Sequence, residues 1–250
     1  MQTEWPEGGA RHVLGRTDST NAEAMRLAPG LSGPAWIMAR EQTAARGRRG
    51  RAWAMPVGNF AATLVMRPKG GAADAARLSF VAALALDEAL RAAAGPQARL
   101  AIKWPNDVLL NGGKVAGILL ESAGSGAGVV ALAIGIGVNL AAAPDPSALE
   151  SGALAPVSIL GETGLSITPE EFLDLLAPAF ARHLAQYETY GFAPIRTAWV
   201  ARAARLGQPI TARTGAAEFT GTFEGIDAEG ALILMGAQGR RVIPAADVYF

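Results

Sequence analysis

Residues 123–143 set the first constraint on the fold. Only Ser125 and Asn139 carry polar side chains there, so the segment is long and apolar enough to imitate a membrane helix. Gly124, Gly126, Gly128, Gly135 and Gly137 decide against that, because each glycine lowers helical propensity. The run VVALAIGIGVNL reads instead as a buried strand entered through a glycine-rich turn. No apolar run opens the chain, where Glu4 and Glu7 stand, so no secretory signal is expected and the protein is expected to be cytoplasmic.

With 250 residues, half of them hydrophobic, the chain supports one large domain, or a domain of about 150–200 residues with a small appendage. Lys+Arg and Asp+Glu both number 22, so a nucleic-acid or membrane partner would need a local basic patch rather than a global field. Cysteine is absent, which excludes disulfides, thiol nucleophiles and Cys-ligated metals. With only His12 and His183, a three-histidine metal site is impossible, and no metal site is expected. The only lysines are Lys69, Lys103 and Lys114, and two of these three fall within twelve residues of each other.

Helix, strand and loop signals alternate without an internal repeat. Asp18-Ser19-Thr20 offers a cap for the short helix NAEAMRLA, and AWIMAR and NFAATLVM read as strands on either side of a polar loop. Asp74 is expected to cap a long apolar helix that Gly95-Pro96 stops. LAIKWPNDVLL and KVAGILLES read as two strands around Asn111-Gly112-Gly113, since Asn-Gly accepts the positive φ of a tight hairpin. Residues 141–156 read as a long loop. Thr168-Pro169-Glu170-Glu171 caps a helix that Pro178 should kink or split, with His183 as a core histidine on its apolar face. After residue 205 helical periodicity gives way to short, glycine-punctuated strands. That change predicts a separate small antiparallel barrel over 206–250, with no catalytic constellation of its own.

Three segments carry chemistry. In EQTAARGRRGRAW, four of the six residues 46–51 are Arg, with Gly47 and Gly50 between them. So short a run cannot track a nucleic-acid duplex, whereas guanidinium forks on a hinged loop can close over a compact anion. In KWPNDVLLNGGKVAGILLES, Lys114 stands on an apolar strand, a costly position unless its ammonium meets a cavity or an anion. Lys103, Lys114 and Asp107 converge if both strands border one pocket. In GIGVNL, Asn139 ends a buried strand, where a polar side chain often meets a ligand.

DSTN (18–21), EQTAARGRRGRAW, KWPNDVLLNGGKVAGILLES and GIGVNL together, in this order and spacing, resemble the biotin–protein ligase family over nearly the whole chain. The resemblance implies an α+β fold: a mixed sheet backed by helices, like the class II aminoacyl-tRNA synthetase catalytic domain, over 1–205, with an SH3-like barrel over 206–250. It implies ATP-dependent activation of biotin to biotinyl-5′-AMP, with Mg²⁺ accompanying the nucleotide, and transfer of the acyl group to a lysine of a biotin carboxyl carrier protein, such as that of acetyl-CoA carboxylase. By the same resemblance Ser19, Thr20, Asn21 and Gln42 lie beside the biotin ring system, and Arg46, Gly47 and Arg48 form the loop closing over biotin and phosphate. Lys114 lies between carboxylate and α-phosphate, Asn139 near the adenine, and Trp53 borders the nucleotide. Arg48, Lys114 and Asp107 are the catalytic candidates; Asp107 is open to an acid–base role or to capping its own turn.

Ala45 stands where the family loop usually begins with glycine, which implies a stiffer loop. A helix-turn-helix is not expected ahead of Asp18, so the chain is expected to be a monofunctional ligase that binds neither DNA nor membrane, as a monomer or homodimer. A lipoate or octanoate ligase and a biotin-responsive DNA-binding regulator are the alternatives.

Overall fold

The computed structural model describes residues 5–7, 9–124, 128–145, 154–215 and 217–250. A seven-stranded mixed sheet forms the larger part, in the order β1-β2-β3-β7-β6-β5-β4. Its strands are β1 (Ala10–Thr17), β2 (Ala35–Gln42), β3 (Phe60–Met66), β4 (Leu100–Lys103), β5 (Asp107–Leu110), β6 (Gly113–Ala123) and β7 (Ala131–Val138). Only β1 and β2 pair in parallel; the other neighbours are antiparallel.

The two faces of this sheet differ. One is covered by α2 (Ala72–Ala94) and α4 (Pro169–Tyr190), whose apolar stripes bury Leu78, Leu86, Phe172 and Phe180 with Ile134, Ile136 and Val138 of β7. Edge-to-face ring pairs, Trp36 with Phe180 and Phe60 with Phe172, knit α4 to the strands. The opposite face carries the short α1 (Thr20–Leu27), over a small cluster around Ala24, Ile37, Val65 and Ala133. Because alternate residues of a strand point to opposite faces, Gly135 and Gly137 share that thinly covered face with Ala133.

β7 is the expected buried strand, and no described helix is long and apolar enough to cross a membrane. Asn111 and Gly112 take positive φ (51° and 94°), as the hairpin between β5 and β6 requires. Four expectations need correction. LAIKWPNDVLL is not one strand: residues 104–106 turn the chain back, so β4 and β5 are two antiparallel strands, and Trp104–Pro105 is a cis peptide. Gly71, not Asp74, is the N-cap of α2; Asp74 sits in the first turn and accepts from the Gly71 N–H at 3.2 Å. Pro178 does not split α4, which is one helix opened by the expected Thr168–Glu171 capping box. His183 is not a core residue: partly buried, it faces Glu88 of α2 across the interhelical seam, Nε2 to Oε2 3.0 Å.

The small α3 (Ile159–Thr163) precedes α4, and α5 (Phe192–Val200) follows it and leads to five strands: β8 (Pro209–Arg213), β9 (Glu218–Ile226), β10 (Leu232–Gly236), β11 (Gly239–Ile243) and β12 (Asp247–Tyr249). They form a separate antiparallel sheet in the order β11-β10-β9-β8-β12. The buried Trp104 indole donates to Gly230 O at 3.0 Å, tying the turn between β4 and β5 to this second sheet.

Candidate active site

The thinly covered face of the large sheet holds a pocket of about 620 Å³. Its floor is made of side chains that are small or missing. Across β3, β7 and β6, Ala61 pairs with Gly137 and Gly137 with Gly117; one row along, Thr63 pairs with Gly135 and Gly135 with Leu119. The glycines that argue against a helix thus have a second consequence: they clear space above the sheet. A Cβ on Gly135 would lie 2.2 Å from Asn21 Oδ1, and one on Gly137 would lie 2.7 Å from the Trp53 indole. These two rows are about 7 Å apart along the strand.

Over the Gly135 row sits a neutral polar cluster. Asp18 accepts from the Ser19 N–H at 2.7 Å; Ser19 is the N-cap of α1, without a side-chain cap bond, and the first turn sets Thr20 and Asn21 into the pocket wall. The Arg26 guanidinium beside it holds the Asp18 carboxyl well below the usual range. Gln42 Oε1 accepts from the Thr20 N–H (2.8 Å) and hydroxyl (3.1 Å). Ser19, Thr20 and Asn21 are all nearly fully buried.

Beyond the Gly137 row the pocket turns cationic. Lys114 Nζ meets Asp107 Oδ1 at 2.8 Å and lies 5.4 Å from the centre of the Trp53 ring. Lys103 Nζ lies 4.0 Å from Asp107 Oδ2 and over the Phe250 ring. Burial pushes the Lys103 ammonium below the usual lysine range, with Asp107 opposing and Lys114 reinforcing the shift. The sequence argument for convergence therefore holds: one carboxylate is shared by two lysines that reach it from adjacent strands. Asn106, in the same turn, donates to Ile118 O and locks the turn onto β6.

The Arg-rich segment closes on itself, Gly47 N–H to Arg51 O at 2.7 Å and Trp53 N–H to Ala45 O at 3.0 Å. This small loop brings Arg46, Gly47, Arg48 and Trp53 to the pocket. Arg48, Arg49 and Arg51 approach one carboxylate, Asp247 of β12, at 3.6, 2.7 and 3.2 Å. Desolvation lowers the Arg48 guanidinium from its ordinary range, with Asp247 and Asp107 opposing the shift.

All the expected site residues line this pocket: Ser19, Thr20, Asn21, Gln42, Arg46, Gly47, Arg48, Trp53, Asp107, Lys114 and Asn139. Asn139 also has a structural task, since its Nδ2 donates to Val157 O at 3.0 Å and fastens the segment after the long loop, of which 146–153 lie outside the described residues. Sequence reasoning missed Thr63, the one polar residue in a wholly buried strand. It missed Asn59, whose Oδ1 accepts from the Ala141 and Ala142 N–H groups. Asp247 and Phe250 carried no local signal, so the small sheet does contribute to the site.

Comparison with known proteins gives the family. Residues 13–139 match the Biotin/lipoate A/B protein ligase family, and residues 206–250 match the Biotin protein ligase C terminal domain. A biotin–[acetyl-CoA-carboxylase] ligase of Paracoccus denitrificans is 74% identical over 95% of this chain and 99% of its own length. The biotin protein ligase of Aquifex aeolicus in complex with biotin and ATP superposes with TM-score 0.81, at 24% identity, over 96% of this chain and 98% of that one. The biotin protein ligase of Leishmania major in complex with biotinyl-5-AMP superposes with TM-score 0.63, at 25% identity, over 96% of this chain and all of that one. The chain belongs to the biotin/lipoate A/B protein ligase family and, within it, to the biotin protein ligases.

Proposed function

We propose that this protein activates biotin with ATP to biotinyl-5′-AMP and transfers the biotinyl group to a lysine of a biotin carboxyl carrier protein. The observation that carries the reading is one pocket with two chemistries about 7 Å apart on a floor of small residues: a neutral hydrogen-bonding cluster around Thr20 and Gln42, and a cationic cluster around Lys114. A molecule with a neutral polar head, an apolar stem and a carboxylate tail matches that order.

In the first step a carboxylate oxygen of biotin attacks the α-phosphorus of ATP, the bond to the bridging oxygen breaks, and pyrophosphate leaves. Both reactants are anions, so like charges must be brought together. Lys114 and Arg48 offset the repulsion and stabilise the charge that builds on the phosphorus oxygens. Asp107 holds the Lys114 ammonium in place. In the second step the carrier amine attacks the acyl carbon, AMP leaves, and Asp107 is the carboxylate placed to take the amine's proton. Ser19, Thr20, Asn21 and Gln42 hold the biotin ring, Trp53 and Asn139 border the nucleotide, and Arg46, Gly47 and Arg48 cover the intermediate against water.

Magnesium fits as a companion of the nucleotide. Among the described residues no group of three or more carboxylates or histidines is arranged to hold an ion, and Asp107 and Asp247 already face cations, so the triphosphate would supply most of its ligands. In this reading the large sheet is the class II synthetase-like catalytic domain over 1–205, and the small one an SH3-like barrel over 206–250. The partner is the carrier domain of a carboxylase, met in the cytoplasm, without DNA or membrane, by a monomer or homodimer. Incubation with α-labelled ATP and biotin, lipoate or octanoate tests the reading. Labelled adenylate should form with biotin; formation only with lipoate or octanoate would replace it with the lipoate-ligase alternative.

A further inference from the structure

The two lysines of the cationic end share Asp107 unequally. Lys114 Nζ lies 2.8 Å from Oδ1, within hydrogen-bond distance. Lys103 Nζ lies 4.0 Å from Oδ2 and, among the described residues, donates no hydrogen bond. Its side chain is nonetheless only 13% exposed. An ammonium carries three N–H donors, and burying it with none of them used is costly unless something else stabilises the charge.

What meets Lys103 is the ring of Phe250, whose centroid lies 5.6 Å from Nζ. Phe250 follows β12 and lines the pocket. Arg205, in the link between α5 and β8, lies over the same ring at 5.1 Å and donates to Gln208 Oε1 at 2.8 Å, so the ring is also held from the link. A ring face attracts a cation through its quadrupole but offers no lone pair in the ring plane's stead. It therefore steadies the charge without taking a proton donor, which a carboxylate or a water would take. The same strand shows the contrast: Asp247 accepts N–H donors from Arg49 and Arg51 at 2.7 and 3.2 Å.

We infer that Phe250 is a positioning residue that holds the Lys103 ammonium against its ring with the N–H donors unspent, so that they go to the phosphates of the nucleotide. The inference rests on the proposed ATP reading and deepens it. Without the ring, the ammonium is free to close on Asp107 or to take water, and an incoming phosphate must first break those contacts. The effect is confined to the phosphates. Adenosine brings no charge to Lys103, and the neutral cluster around Thr20 and Gln42 is built without the small sheet.

Calorimetric titration of the full chain, with biotin present, by α,β-methylene-ATP and by adenosine reads the effect. Phe250→Leu keeps an apolar cover and removes the ring face. The Kd of the triphosphate analogue should rise about tenfold, within the range of one cation–ring contact, while that of adenosine stays at the parent's value. Phe250→Tyr, which restores the face, should recover the parent's ratio; Phe250→Met serves as the apolar variant if Phe250→Leu fails to fold. In a Lys103→Met background Phe250→Leu should leave the ratio unchanged, because the ammonium it acts through is gone. Equal weakening of both ligands, or an undiminished loss in the Lys103→Met background, would make Phe250 a wall of the pocket and overturn the inference. Absence of analogue binding by the parent protein would instead remove the functional reading beneath it.

Discussion

Gly137→Ala is the sharpest steric test of how the pocket is built. The new methyl would lie 2.7 Å from Trp53 Cε2 and Nε1 and 2.8 Å from Cζ2, against an ordinary carbon contact of about 3.5–4.0 Å. Gly137 cannot retreat, because β7 is held between Ala61 of β3 and Gly117 of β6. The indole must move by about 1 Å, and it can, because Trp53 is carried by the segment that the Ala45 carbonyl closes. The cost therefore appears in function more than in stability. A displacement of that size at a reacting site lowers turnover by up to about 10²-fold, while unfolding should shift by less than the roughly 1–3 kcal/mol of a rigidly overpacked core. Gly117→Ala is the graded control: its methyl would meet the same ring at 3.1 Å and needs only a few tenths of an ångström. Steady-state adenylation at varied ATP should rank the parent first, Gly117→Ala second and Gly137→Ala last. A Gly137→Ala enzyme with the parent's kcat/KM, or an inverted order of the two variants, would refute the claim that Trp53 lies on a glycine floor.

Arg48→Gly should still form adenylate but release it into solution, seen as biotin labelling of lysines on unrelated proteins such as albumin; an unchanged off-rate with abolished synthesis would make the loop catalytic rather than retentive. Burial lowers the Lys103 ammonium's proton affinity, so Lys103 loses its charge at a lower pH than a free lysine does. A triphosphate favours the charged form, so nucleotide affinity should fall as pH rises through that lowered value. Lys103→Arg should abolish this alkaline fall in an ATP titration. Net charge is zero, and the densest run of arginines, residues 46–51, already faces Asp247 through Arg48, Arg49 and Arg51. A mobility-shift titration at physiological salt should show nothing tighter than the non-specific range of about 10⁻⁴–10⁻⁶ M, and a nanomolar, biotin-responsive complex would contradict it.

Much of the site was legible because it is written in local chemistry. Lys114 on an apolar strand had to find an anion, and it finds Asp107. Asn111-Gly112 dictated the hairpin that brings the two together. What escaped depended on partners far away in sequence. The polar alternation of β1 becomes a strand only once β2 lies beside it at the sheet edge. Pro105 ended a strand that hydrophobicity alone would have continued. Asp247 and Phe250 reach the pocket only because a second sheet folds back onto the first, a contact that no local pattern announces. Gly135 and Gly137 are spaced by two, the period of one strand face, yet their propensity cost hid the space they clear. Thr63 was visible as the lone hydroxyl in an apolar strand, but its partners Thr20 and Asn21 stand far away in sequence.

The central claim is that the Lys114 ammonium, held by Asp107, stabilises the phosphorus centre while biotin becomes an adenylate. Single-turnover mixing of enzyme, biotin and α-labelled ATP, quenched on the millisecond scale, measures that step without carrier or product release. Lys114→Ala should form biotinyl-adenylate about 10²–10³-fold more slowly than the parent, the range for removing one preorganised charge from a reacting site. Adenylate formation at the parent rate would contradict the account.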